Sequence, residues 1–149
     1  MKFNHNHAEK GQSLVEVALT LIIILTLLAG AVDLGSAFFS YVAIRDAAQE
    51  GALYGSIFPT GAIESRVRGA SGPPSPPSPT KPKPVDLYDL TKVTVSVSAI
   101  PPCSGGEVIV TVKYTYTLIM PLIGAIIGSP TITLTASAKD TILQPSSCP

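Results

Sequence analysis

The chain has 149 residues, with ten basic side chains against ten acidic ones, and only 13% of its residues are charged. No basic surplus is present to track a phosphate backbone, so no nucleic-acid partner is expected. The length suits one small domain plus a separate helix rather than two full domains. The 46% hydrophobic content is inflated by one apolar segment near the N-terminus.

Residues 1–10 are short and polar, with Lys2 and Lys10 carrying positive charge and no apolar periodicity. His5 and His7, with one spacer and no third ligand, read as solvated side chains rather than a metal site. The two lysines hold this end in the cytoplasm by the positive-inside rule, which puts the C-terminus outside. Then comes Lys10-Gly11-Gln12-Ser13-Leu14-Val15-Glu16, followed by sixteen residues without a charge, Val17 to Val32. As a helix these sixteen span about 24 Å, slightly short of the roughly 30 Å hydrocarbon core. Their uncharged flanks extend the span. A secretory signal peptide cut near Ala29-Gly30-Ala31 and a plain anchor are the simpler readings. Glu16 argues against both, because a carboxylate at the mouth of an apolar run is costly and does nothing for a mere anchor.

One long helix is expected from Ser13 to about Ser56, since good helix formers dominate and the first proline is Pro59. Ser13 with Glu16 three residues on fits a capping box. Ala29, Gly30, Ala31, Gly35 and Ala37 make a belt of small residues that lets helices approach closely in lipid. Asp33 marks the outer water interface on one reading. On the other it is buried between subunits and paired with Arg45 or a neighbour's cation. Phe38, Phe39 and Tyr41 suit an interfacial aromatic belt. Beyond them Val42, Ile44, Ala47, Ala48, Ala52 and Leu53 recur at helical spacing, as for a helix half packed on a globular domain. Asp46 and Glu50 read as a solvated face rather than a catalytic pair.

Between Pro73 and Pro84 seven of twelve positions are proline. Such a stretch adopts polyproline II and reaches about 37 Å over twelve residues, so 59–91 reads as a linker. Three alternating runs come next. Val93 to Ala99, Val108 to Leu118 and Ile132 to Ala138 each place apolar residues on one face and Thr, Ser or Lys on the other, the pattern of a half-buried antiparallel sheet. Three strands cannot bury their own apolar face, and the outer half of the N-terminal helix is the available cover. Ile119 to Gly128, between the last two strands, is too apolar for a solvated connection and too short for a span. It either folds into the core or forms an exposed patch for a partner or the membrane.

Cys103 and Cys148 fall in the part expected outside the cytoplasm, where an even count reads as a disulfide; two free thiols are the alternative. Closing that 46-residue loop is worth roughly 4 kcal/mol in the chain-entropy model. No enzyme is expected. After residue 7 the chain has no histidine, which removes the usual base of a nucleophilic triad, and it carries no phosphate-binding loop or CxxC pair. No cofactor, metal or small-molecule substrate is expected.

Gly11, with Glu16 as the fifth residue after it, resembles the class III signal of type IV pilins and pseudopilins. The series Ala31-Val32-Asp33-Leu34-Gly35-Ser36-Ala37-Phe38-Phe39, leading into Asp46-Ala47-Ala48-Gln49-Glu50-Gly51-Ala52, resembles the TadE-like family of the tight-adherence (Flp-type) pilus machinery. Val17 stands where that family usually has an aromatic residue. The resemblance implies a prepilin peptidase cutting between Gly11 and Gln12. It also implies an assembly role for Glu16, paired with the free amine, and partners among other pilins or pseudopilins and the pilus assembly platform. The expected fold is α+β and pilin-like, a long N-terminal transmembrane helix packed by its outer half on a small antiparallel β-sheet. The expected organisation is a leader (1–11), the helix (12–58), the linker (59–91) and an extracytoplasmic β domain (92–149). The expected function is a minor subunit or assembly factor of a Flp-type pilus or related secretion system. The alternative is an uncleaved single-pass envelope protein displaying its β domain for binding.

Overall fold

Good helix formers and the absence of proline before Pro59 let one helix, α1, run without interruption from Ala8 to Ile57. Fifty residues make it about 75 Å long. It stops two residues before Pro59, whose ring disfavours helical backbone at Phe58. The computed structural model describes residues 8–59, 61–69, 85–100 and 105–143. Because α1 starts at Ala8, Ser13 lies inside the helix rather than at its cap. The expected capping box of Ser13 and Glu16 is therefore absent from the uncleaved chain, since Ala8 to Gln12 continue the helix backwards.

The three alternating runs form β1 (Val93–Ile100), β2 (Glu107–Thr117) and β3 (Thr131–Thr141). They make one antiparallel sheet in the order β1-β2-β3. Val93 stands opposite Tyr114 on one side of β2, and Thr117 opposite Thr131 on the other. Val108, Val110 and Val112 of β2 and Ala136 of β3 face α1 and are buried. On the opposite face Thr111 and Ser137 share a hydroxyl hydrogen bond of 3.1 Å. The α+β arrangement expected from patterning, a helix laid on a small antiparallel sheet, is the one observed.

Only the C-terminal half of α1 carries the sheet. Ile44, Ala47, Ala48 and Ala52 are buried there, whereas Leu53, expected on the packed side, is exposed. Gly51 and Gly55, one turn apart, are where the backbone comes closest to its neighbours. A Cβ on Gly55 would stand 2.9 Å from both Ile63 Cδ1 and Val108 Cγ2, and one on Gly51 would collide with Val67. The small side of the helix is thus a seat for β2 and for a second, shorter helix.

That helix, α2 (Ile63–Gly69), lies inside the segment read from sequence as linker. Ile63 and Val67, four apart, drop into the core, and so do Val85 and Leu87 at the far end of that segment. Arg68 clips these ends together. Its guanidinium donates to Glu64 Oε1 at 2.8 and 3.0 Å and to the Leu87 carbonyl at 2.7 Å. Arg66 reaches back to Glu50 of α1 at 2.6 Å, so one member of the expected solvated acidic face has a partner. Before β1, the Thr91 hydroxyl and amide bind Asp89, and the hydroxyl bond above all holds the Asp89 carboxyl below its ordinary range.

Between β2 and β3 the apolar connection folds as α3 (Pro121–Ile127), which starts on a proline and is closed by Gly128 in the left-handed region. None of its described side chains belongs to the buried core. Ile126 is 78% exposed and Ile119 69%, so of the two readings open for this segment the exposed patch is the one observed.

Candidate functional site

The apolar part of α1 is bracketed by two carboxylates, Glu16 and Asp33. The chain between them has no charge, and its large apolar side chains, including Leu21, Leu25 and Leu27, are exposed. From Leu14 to Asp33 the rise is about 29 Å, close to the thickness of a hydrocarbon core. Thr20 and Thr26 return their hydroxyls to the carbonyls of Glu16 and Ile22 at 2.8 Å, which satisfies them within the helix. Of the helices described, α1 is the one long and apolar enough to cross a membrane, and none of its most apolar stretch is buried.

At the N-terminal end, Gly11, Gln12 and Glu16 all lie exposed in the early turns of α1. Among the described residues no ion pair or side-chain hydrogen bond engages the Glu16 carboxylate. Gln12 and Glu16 are four apart, hence on one helix face. His5 and His7 lie outside the described residues.

The Asp33 end of the apolar run is built differently. Asp33 is 2% exposed although its neighbours Val32 and Leu34 are bare. Its carboxylate accepts the Ile119 amide at 3.0 Å, the Met120 amide at 2.8 Å and the Tyr116 hydroxyl at 3.2 Å. Three donors converge on one side chain, and among the described residues no cation pairs with it. Within the chain Asp33 is buried rather than at open water and is not ion-paired with Arg45, which is exposed; no sign of these three donors is legible in the sequence. Asp33 fastens the end of β2 and the entry to α3 onto α1. Burial pushes the Tyr116 phenol up from its ordinary pKa, and the neighbouring carboxylate pushes the same way, against a bond with Ser36 that lowers it. The phenol therefore stays a donor across the physiological range.

The small-residue belt divides along the same line. Ala37 is buried in the chain, Gly30 faces Ile123 of α3, with 3.9 Å between a built Cβ and Ile123 Cδ1, and Ala31 is exposed. Phe38 and Phe39 stand exposed beyond Asp33, in edge contact with ring centres 6.3 Å apart. Among the described residues no group of three or more His, Cys, Asp or Glu side chains is placed to hold a metal ion. Cys103 and Cys148, the expected disulfide pair, lie outside the described residues.

This bracketed helix is the part of the chain that comparison with protein families identifies. Residues 11–53 match the model of the TadE-like protein family. The matched residues all belong to α1, from the glycine of the expected cleavage site to the packed half beneath the sheet. Neither the curated proteins nor the solved structures compared with the chain yield a match. The match covers under a third of the chain, and the helix that carries it is long and apolar enough to cross a membrane. The match lies within α1, and the sheet, α2 and α3 fall outside it.

Proposed function

We propose that the chain is a TadE-like pseudopilin: a minor subunit or assembly factor of a Flp-type pilus or related secretion system, without catalytic activity of its own. The observation that carries this reading is the exposed Glu16 carboxylate at the mouth of an otherwise uncharged membrane helix, five residues after Gly11. The leader stays in the cytoplasm with Lys2 and Lys10, and a prepilin peptidase cuts between Gly11 and Gln12. The cut creates an amine on Gln12, one helical turn from Glu16 and on the same face. Glu16 neutralises that amine, its own or a neighbour's, so that both charges enter an apolar helical bundle together. Left unpaired, either charge is strongly disfavoured there.

The domain beyond the membrane is held rigidly to α1 by the Asp33 junction, which suits a subunit that presents a fixed surface to other pilins and to the assembly platform. Cys103 and Cys148 form a disulfide in that domain. Supporting the pairing, the described residues that flank the two segments are joined: the Gly105 amide donates to the Ile142 carbonyl at 2.9 Å and the Ile142 amide to Gly106 at 2.8 Å.

The test is Glu16→Ala in cells that express the remaining pilus proteins. The variant is expected in the membrane fraction at the normal level. Its co-purification with other pilins should fall by more than about tenfold, the effect of losing 1.4 kcal/mol of pairing. Undiminished co-purification would remove Glu16 from the assembly mechanism.

A further inference from the structure

Asp33 does more than close the outer end of the apolar run, because of what it holds there. The two amides it binds belong to Ile119 and Met120, the residues that lead directly into α3. From Asp33 the connection turns towards the membrane half of α1 rather than away from it. Ile123 lies against Gly30, which is about 4.5 Å further into the apolar run than Asp33. Ile119 and Met120 border the same shallow groove as Leu25, Ala29 and Val32. Through this contact, the exposed apolar side of α3 is continuous with the apolar surface of the membrane helix.

The chemistry of the connection suits lipid. From Tyr114 to Ala138 the chain carries no charged residue. Ile119, Ile126 and Ile127 are exposed, an apolar patch that a soluble domain would ordinarily cover. Backbone polar groups near hydrocarbon must find partners within the protein, and several of those in this segment do. Asp33 takes the Ile119 and Met120 amides. The Leu118 amide donates to the Pro130 carbonyl at 2.9 Å, and the Gly128 amide closes on Gly124 at 2.9 Å. Pro121 and Pro130 have no amide to satisfy.

We propose that α3 and the residues leading into it are a second membrane contact, in which Ile119, Ile126 and Ile127 insert among the lipid acyl chains at the bilayer face nearest Asp33. The inference rests on the reading of α1 as the membrane span. The domain is then fixed to the bilayer at two points rather than hung from one helix. Its tilt and height above the membrane are set by Asp33, which acts as the positioning residue for α3.

The chain contains no tryptophan, so a single introduced indole reports depth unambiguously. Three variants of the full chain, Ile126→Trp, Leu25→Trp and Tyr88→Trp, are reconstituted in phosphatidylcholine vesicles with and without acyl-brominated phosphatidylcholine. All three positions are exposed in the chain itself, so the substitutions leave the core untouched. The expected result is loss of fluorescence to the brominated lipid, with a blue-shifted emission, for Leu25→Trp and Ile126→Trp and not for Tyr88→Trp. Quenching of Leu25→Trp alone would overturn the second contact while leaving the membrane helix standing. It would mean that Ile126 faces water or a protein partner. Absence of quenching in all three would overturn the membrane reading and this inference with it.

Discussion

Asp33→Leu is expected to destabilise the folded domain by about 3 kcal/mol, because it strands the Ile119 and Met120 amides and takes from the Tyr116 phenol its carboxylate acceptor, each stranded amide costing about 1–3 kcal/mol. Part of that sum is recovered where water reaches the freed amides. Asp33→Asn keeps one acceptor oxygen and nearly the same shape, but turns an NH2 group towards donors. It is expected to lose about half as much. Chemical denaturation of the full chain in micelles, followed through the tyrosine signal, measures both. Leu34→Ala, at the bare neighbouring position, is the reference and is expected to be nearly neutral. A loss below about 0.5 kcal/mol for Asp33→Leu, the scale of ordinary surface substitutions, would mean that the three hydrogen bonds contribute nothing to holding the sheet on the helix.

The second large effect is expected at the Gly51 and Gly55 seat. Alanine for glycine inside a helix gains up to about 1 kcal/mol from propensity alone, so an unpacked site would become more stable. Here the new Cβ at Gly55 meets Ile63 and Val108 at 2.9 Å. The Ile63 contact is the end of a flexible side chain and can yield, but Val108 is β-branched and stiff in its strand. Overpacking of this kind costs about 1–3 kcal/mol, which outweighs the propensity gain. Gly55→Ala and Gly51→Ala are therefore expected to be destabilising by about 1 kcal/mol net, and Gly51→Leu by at least about 3 kcal/mol. The same melts decide the sign. Stabilisation by either alanine would show that α1 does not seat on β2 and α2 at these glycines.

Much of this architecture is legible in the residues, and what escapes has a physical reason. The three strands announce themselves because one face is buried and the other solvated, so Val108, Val110 and Val112 alternate with Ile109, Thr111 and Lys113. The long helix is equally plain, since a membrane span needs a charge-free run and the packed half needs a repeating apolar stripe. By contrast α2 is seven residues long, and Ile63 and Val67 are a single helical repeat beside a proline-rich stretch. That leaves too little periodicity to separate a helix from a linker.

The Asp33 junction escapes for a different reason. Two of its three donors are backbone amides, which every residue but proline possesses, and the third, Tyr116, reads simply as one more apolar member of β2. Only the fold brings residues 33 and 116–120 together. Glu16 shows the opposite case. Its motif is plain in the sequence, yet the structure of the uncleaved chain gives it no partner among the described residues, because the amine proposed to pair with it does not exist until the peptide after Gly11 is cut.

The N-terminal sequence and intact mass of the protein isolated from native membranes, in cells with an active prepilin peptidase, test the pseudopilin reading most directly. The expected result is a chain that begins at Gln12, with a mass lower by two hydrogens than the fully reduced sequence because Cys103 and Cys148 are joined. A chain that still carries Met1 to Gly11 would contradict the pairing of Glu16 with a new amine. It would leave an uncleaved, single-pass protein that displays its sheet on the membrane surface.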